Sequence, residues 1–188
     1  MPVNINADTV VGGAVVTADA SGQLALQSAG TTGLTVASGN VTVANKMTVV
    51  GTASTAGLKI ADVLETATIS ATAATGTINY DVTTQAVLYY TSNASANWTV
   101  NFRGSSGTSL NTLLATGESV TVAFFVTQGS TAYYNNVVQV DGSTVTPKYQ
   151  GGTAWTAGNA NSIDAYVYTI IKTGSAAFTV FASQTKFA

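Results

Sequence analysis

Few side chains in this sequence could carry out catalysis. Asp62 and Glu65 are the one close pair of carboxylates, and a solvated face in the connector is favoured for them over a catalytic pair. The 188-residue chain has no His and no Cys, so it lacks the commonest general base, thiolate nucleophiles and the commonest ligands of transition metals. Its carboxylates are Asp8, Asp19, Asp62, Glu65, Asp81, Glu118, Asp141 and Asp164. A glycosidase needs two carboxylates that flank one bond, and a serine nucleophile needs a base. No motif supplies either, so we expect no enzymatic activity, no cofactor and no metal site.

The remaining roles of these acids are structural. Glu118 and Arg103 stand at the ends of two predicted strands, where they are candidates for a structural ion pair. Asp141 precedes a Gly and is expected in a turn. Asp164 is expected to cap a strand edge.

Aromatic side chains are better candidates for binding. Trp98, Tyr134, Tyr149 and Trp155 could stack on the sugar rings of a host-surface glycan or pack against a neighbouring subunit. Trp155 lies in a loop rich in Gly and Asn, where an aromatic residue has less reason to be in the core. Packing in the core or at a subunit interface is the alternative for all four residues, and the sequence favours it over glycan contact.

The neighbouring aromatics Tyr89-Tyr90 and Tyr133-Tyr134 give a sharper expectation. Successive side chains of a strand point to opposite faces. One residue of each pair should therefore be in the core, and the other should face a neighbour, a ligand or water.

Charge is sparse: charged residues are 7% of the chain and the net charge is −2, against the ~25% charged residues of ordinary domains. The six cations are scattered singly at Lys46, Lys59, Arg103, Lys148, Lys172 and Lys186. Nucleic-acid binding needs clustered cations, so we expect no nucleic-acid partner. No apolar run approaches the ~20 residues of a transmembrane helix, and residues 1–6 lack the basic and apolar parts of a secretory signal. We therefore expect neither membrane insertion nor a secretory signal.

Two regions must position these side chains, and they differ in their apolar residues. Every Phe, Tyr and Trp lies from Tyr80 onward, whereas residues 1–57 have Val, Leu, Ile and Met as their large apolar side chains. Period-two alternation and Gly-rich turns predict a β-rich stem or attachment region there. The predicted strands are Thr9–Thr17, Gln23–Gln27, Leu34–Val36, Val41–Val43 and Met47–Val50.

This first region is too poor in bulky side chains to fold alone. Burial of apolar surface contributes ~25 cal/mol per Å², and ordering the chain costs ~1.5 kcal/mol per residue. For this region the two free energies nearly cancel. We expect three chains to share one axial core in a trimeric β-stem. The alternative is a long arm that lies on a neighbouring subunit. Residues 58–65 follow as a connector, and the segment Gly57–Glu65 could form one or two helical turns.

Residues 66–188 are predicted to form an antiparallel β-sandwich of the jelly-roll type, with no helix. The run from Val120 to Val126 should be a central strand covered on both faces, and Asp141-Gly142 should turn a hairpin. The predicted strands are Thr66–Ala71, Thr77–Val82, Ala86–Thr91, Trp98–Arg103, Glu118–Thr127, Ala132–Val140, Thr144–Tyr149, Ile163–Lys172 and Ala177–Ser183.

Residues 76–188 also resemble a domain of virion structural and tail-fibre-like proteins of marine cyanophages and related phages. The segments that carry the resemblance are Leu88–Thr91, Asn97–Gly104, Gly117–Val122, Thr146–Gly152, Ile170–Gly174 and Ala182–Ala188. The N-terminal region is similar only in composition to the Gly/Thr/Val stalks of phage fibres. No motif of this family carries an assigned catalytic or receptor-binding residue.

The resemblance implies a phage structural protein that is assembled in the host cytoplasm and located in the virion, with itself and other virion proteins as partners. One reading is a homotrimeric tail fibre or appendage that could contact the host surface. A second is a capsid decoration protein that stabilises the head lattice. A carbohydrate-binding or depolymerase module is a third, less favoured reading.

Overall fold

The computed structural model describes residues 47–49, 51 and 58–188. The chain divides into two compact units, Met1–Lys59 and Ile60–Ala188. Four of the strands predicted for residues 1–57 lie outside the described residues. Of the fifth, Met47–Val50, residues 47–49 are described and have no regular secondary structure. The trimeric stem and its alternative, the arm, therefore stay predictions.

The second unit is almost entirely β-structure. Its elements, in chain order, are β1 (Ala67–Ala73), β2 (Gly76–Asp81), β3 (Val87–Ser92), β4 (Trp98–Arg103), α1 (Leu110–Leu113), β5 (Ser119–Thr127), β6 (Asn135–Val140), β7 (Ser143–Val145), β8 (Lys148–Tyr149), a 3₁₀ turn (Gln150–Gly152), β9 (Ile163–Gly174) and β10 (Ala177–Phe187). They form a six-stranded sheet in the order β1-β3-β5-β9-β10-β8 and a four-stranded sheet in the order β2-β4-β6-β7. The predicted all-β class is confirmed for this unit, and its two sheets are consistent with the predicted sandwich.

The predicted antiparallel pairing holds for β5 with β9, β9 with β10 and β6 with β7, but the other five strand pairs are parallel, so the predicted jelly-roll pairing is wrong. From β1 to β6 the chain alternates between the two sheets, so consecutive strands form arches instead of hairpins. A strand that returns to its first sheet runs in the direction of the strand two elements earlier, and β1, β3 and β5 are therefore parallel neighbours, as are β2, β4 and β6. The predicted Asp141-Gly142 hairpin is confirmed between β6 and β7, and both turn residues have the positive φ, 50° and 79°, that a two-residue hairpin turn requires.

The core between the sheets is built from aromatic side chains. Alternation along β4 buries Trp98, Val100 and Phe102 completely. The Trp98 ring lies 6.1 Å from that of Phe124 on the other sheet, and the Phe102 ring lies 4.9 Å from that of Tyr168. Such pairs add to the free energy gained from burial alone.

Three buried tyrosines belong to the same core. Burial raises the pKa of Tyr80, Tyr166 and Tyr168 above the ordinary value of 10.0. The Tyr80 hydroxyl still donates a hydrogen bond to the Ala86 carbonyl at 2.6 Å. Each phenol is therefore kept in its neutral form by the interior.

Strand β5 lies near the centre of its sheet, as predicted, but it is not covered on both faces. Val122, Phe124 and Val126 are buried, whereas Phe125, between them, is only half-buried. The physical reason is that the second sheet covers one face only, and nothing in the described part of the chain covers the other.

Both helix predictions were wrong. Residues 58–65 form no helix, because so short a segment cannot offset the cost of nucleation without partners.

The loop after β4 does form one turn, α1, because distant residues satisfy its ends. The Asp141 carboxylate accepts the Leu110 and Asn111 N–H groups at 2.6 and 2.9 Å, and the Lys172 ammonium donates to the Asn111 and Leu114 carbonyls at 2.6 and 2.9 Å. None of the helices in the described part of the chain could span a membrane.

Candidate assembly face and ligand groove

The outer face of the six-stranded sheet carries large apolar side chains among Ser and Thr residues. Because cross-strand partners share a face, the register aligns Tyr89, Phe125 and Ala165 in one row and Ala123 and Val167 in the next. We call this surface the apolar face, and its large apolar members are Ile69, Val87, Tyr89, Phe125, Ile163, Val167, Ile171, Phe181 and Phe187.

Several of these side chains are open to solvent. Ile69 is 62% exposed, Phe187 53%, Phe181 47% and Val167 38%. The Phe125 ring lies 6.1 Å from Tyr89 and 6.2 Å from Phe187, so these three side chains form one aromatic cluster on this face. Monomeric proteins rarely expose large apolar patches, so this face is a candidate contact surface.

The outer face of the four-stranded sheet has the opposite chemistry, and we call it the polar face. Its central row is Asn79, Asn101, Gln139 and Thr144 on four adjacent strands. The Asn101 amide donates to the Asn79 side-chain oxygen at 2.8 Å, and its own oxygen accepts the Gly142 N–H at 2.8 Å. Two of the four side chains in this row, Asn79 and Asn101, are therefore hydrogen-bonded within the chain.

The candidate acids have structural partners. Arg103 pairs with Asp81 on the adjacent strand instead of with the expected Glu118, and this hydrogen bond raises the pKa of the Arg103 guanidinium. The Glu118 carboxylate accepts the Ala115 N–H at 2.8 Å. Asp164 is completely buried in β9, so it does more than cap a strand edge. No group of three or more acidic side chains that could hold a metal occurs among the described residues.

The four predicted contact residues lie in different places. Trp98 is fully buried, so its expected role at a ligand or subunit contact is wrong. The alternation Trp98, Val100, Phe102 in the sequence was a signal for the core. Tyr134 is half-buried, and its N–H donates to the Asn97 side chain at 3.1 Å.

Trp155 and Tyr149 are brought together at the surface. Their rings lie 4.8 Å apart at 86°, and burial raises the pKa of the Tyr149 phenol. The Trp155 indole N–H donates to the Asn135 carbonyl at 2.6 Å, and its ring lies 5.2 Å from Tyr166. The half-buried indole is therefore held in one orientation.

The loop that carries Trp155 is anchored by the buried carboxylate. Asp164 accepts the Asn159 N–H at 3.0 Å and the Gln128 amide at 3.1 Å. At Gly158 a Cβ would lie 2.1 Å from the Tyr133 carbonyl oxygen, so only Gly fits there. These contacts fold the loop back against β10.

A groove of about 530 Å³ opens beside Trp155, and we call it the Trp155 groove. Its lining is Gln150, Thr153, Trp155, Ala182, Ser183, Gln184, Thr185 and Lys186. An adjoining groove of about 460 Å³ shares Gln150, Ala182 and Ser183 and adds Lys148, Tyr149, Val167, Thr169 and Phe181, so it opens onto the apolar face. Neither lining contains a carboxylate. Sequence reasoning found Trp155 and Tyr149 but missed Gln150, Lys148 and Lys186.

A comparison of the chain with family models, curated proteins and solved structures finds no match. The likeness to phage fibre-like proteins therefore stays an expectation, and the two surfaces described above carry the functional argument.

Proposed function

We propose that this chain is a non-enzymatic structural protein of a bacteriophage virion, which assembles with copies of itself as a homotrimeric tail fibre or other appendage. The observation that carries the proposal is the apolar face. A sheet surface with exposed Ile69, Val167, Phe181 and Phe187 is more favourable against another protein surface than in water.

The size of the face supports self-assembly. The face spans five long strands, and β5 has nine residues, so at ~4.8 Å between strands and ~3.3 Å per residue its area is roughly 700 Å². A standard interface buries ~800 Å² on each partner. One copy of the face could therefore supply most of a stable contact.

Two further points favour a structural role. The carboxylates of Asp81, Asp141 and Asp164 accept hydrogen bonds that hold strands, the α1 turn and the Trp155 loop, which suits architecture better than catalysis. The composition of residues 1–57, with no aromatic side chain, also favours a segment that is stabilised by neighbouring chains.

Light scattering on the full chain tests the assembly. We expect a particle of three times the mass of one chain, and we expect Val167→Asp with Phe181→Asp to lower that mass, because association would bury two unpaired carboxylates. The matched control is Asn79→Asp with Thr99→Asp on the polar face, which should keep the wild-type mass. A monomeric wild-type chain, or an unchanged mass after the first pair of substitutions, would contradict the proposal.

The copy number in purified virions separates the two structural readings. A fibre is expected in tens of copies per particle, and a capsid decoration protein that stabilises the head lattice in hundreds. Quantified protein bands distinguish these outcomes. If the chain is absent from virions, both readings are wrong.

A further inference from the structure

We propose that the Trp155 groove binds an acidic saccharide, with the indole as the stacking surface and Lys186 as the contact to the sugar's negative charge. This inference names a ligand class for the host-surface contact of a virion protein. The Trp155 groove itself is complete within one chain and contains neither Val167 nor Phe181, the residues of the apolar face that the assembly test replaces.

The indole is organised before a ligand arrives. Its N–H is bonded to the Asn135 carbonyl at 2.6 Å, and Tyr149 and Tyr166 pack on it with centroid distances of 4.8 and 5.2 Å. Trp155 is nevertheless only half-buried and lines the groove. A fixed aromatic surface binds at a lower entropic cost than a mobile one, and the C–H face of a sugar ring packs well on such a surface.

Most of the polar side chains around the indole are available to bind a ligand. Gln150, Thr153, Ser183 and Thr185 line the groove, and their side chains form no hydrogen bond within the described part of the chain. Gln184 is held by its amide on the Tyr166 hydroxyl at 3.0 Å. Amides and hydroxyls both donate and accept, which matches the hydroxyl groups of a saccharide. The groove volume of about 530 Å³ lies within the ~300–1,000 Å³ of ligand sites.

The charge distribution selects an acidic ligand. Residues 66–188 contain four cations, of which Arg103 is paired with Asp81 and Lys172 is bound to helix carbonyls. The other two, Lys148 and Lys186, have no ion-pair partner among the described residues, and they line the two adjoining grooves. Lys186 lines the same groove as the fixed indole, whereas Lys148 lines the adjoining groove beside its register partner Phe181. The register partner of Lys186 is Asp164, whose carboxylate is already bonded to Asn159 and Gln128.

The test compares matched acidic and neutral sugars on the full chain. The pairs are trigalacturonate with its methyl ester, and sialyllactose with lactose, measured by calorimetry and by Trp fluorescence. Trp98 is fully buried, so a ligand-induced change reports on Trp155. We expect the acid of at least one pair to bind and its neutral partner to bind several-fold more weakly.

Variants then assign the contacts. Gln150 and Lys186 are exposed, so their substitution should leave the fold intact. We expect Lys186→Gln to weaken acid binding about two- to fivefold, the usual range for an exposed ion pair, and to reduce its salt dependence. Gln150→Ala should also weaken it. Lys59→Gln, an exposed lysine outside these grooves, is the charge-matched control and should bind like the wild type.

Trp155→Ala should abolish binding, with the unfolding midpoint measured to confirm a folded protein. The inference is overturned if neither acid binds, if a neutral partner binds equally well, or if Lys186→Gln and Lys59→Gln have the same effect. Oligomer mass measured on the same samples keeps this result separate from that of the assembly proposal.

Discussion

The two outer faces of the domain differ in how their side chains are satisfied. On the polar face, Asn79 and Asn101 bond to each other and Asp81 pairs with Arg103. On the apolar face, Phe125 contacts Tyr89 and Phe187, but Phe181 and Val167 remain exposed. The two sheets share one core. Within a single chain the polar face pairs side chains with each other, whereas the apolar face leaves large apolar side chains exposed.

This difference shows that one strand can serve two purposes. In β5, Phe124 fills the core and Phe125 lies on the apolar face. Because side chains alternate, a continuous apolar run places apolar side chains both in the core and on the outer face, which we propose meets another copy of the chain. The following substitutions separate the two roles.

Phe124→Ala should have the largest effect on the protomer. Phe124 is fully buried, with ring contacts to Tyr90 at 5.5 Å and Trp98 at 6.1 Å, so its loss should cost about 3–5 kcal/mol of unfolding free energy. Phe125→Ala should cost the dilute protomer much less and should instead weaken association. Urea unfolding at low and high protein concentration measures both. If Phe124→Ala and Phe125→Ala lost the same free energy of unfolding at low protein concentration, the two faces of β5 would not differ in role.

Alkaline pH should weaken the interior that both faces enclose. Burial raises the folded pKa of Tyr80, Tyr166 and Tyr168 above 10.0. Their contribution to stability is therefore fully present below pH 10 and is lost above it, where only the unfolded chain ionises. The free energy of unfolding should fall by about 1.4 kcal/mol per pH unit for each tyrosine, which is about 4 kcal/mol per pH unit for the three together.

The unfolding midpoint in urea, measured from pH 9 to pH 11.5, checks this dependence. Tyr168→Phe should reduce the slope by about one third. A midpoint that does not fall above pH 10 would contradict the prediction.

Asn101→Ala should have a smaller effect, confined to the polar face. It removes the hydrogen bonds to Asn79 and to the Gly142 N–H, worth about 1–2 kcal/mol together at a site that water can reach. We expect a lower unfolding midpoint and no change in oligomer mass. A change in mass would show that the polar face also takes part in assembly.

The smallest effect is expected from the polar pair within the apolar face. The hydroxyls of Thr121 and Thr169 lie 2.9 Å apart and bond to each other. Replacing both with Val preserves shape and removes groups that association must desolvate. Protomer stability should change little, and association should tighten about fivefold, for roughly 1 kcal/mol. Sedimentation over a dilution series measures this change, and weaker association would count against the face.

Strand positions could be predicted from the sequence, whereas strand partners could not. The alternation of apolar and polar residues over Trp98–Arg103 reproduces β4 to the residue, and Tyr89 and Tyr90 do point to opposite faces. The same expectation is wrong for Tyr133 and Tyr134, which precede β6 and are both half-buried. The direction of pairing depends on which sheet each strand joins, and no local pattern encodes that choice.

The α1 turn and the Trp155 groove depend on residues far apart in the chain. Leu110–Leu113 is helical because Asp141 and Lys172 satisfy its ends. Lys186 lies beside Trp155 only because the Asp164 network and the close approach at Gly158 fold the loop back. The sequence contains a weak indication of the apolar face, because Val167 and Ile171 alternate with core residues in β9.

The arches between the sheets also bear on how the chain folds. Ile69 in β1 pairs with Tyr89, and Tyr89 in turn pairs with Phe125, so a strand emerging from the ribosome must wait for one synthesised 20 or more residues later. Topologies dominated by such distant contacts fold in milliseconds to seconds. During that delay the edges of β1 and β3 are open to mispairing, and the scarcity of charge leaves little electrostatic repulsion against aggregation.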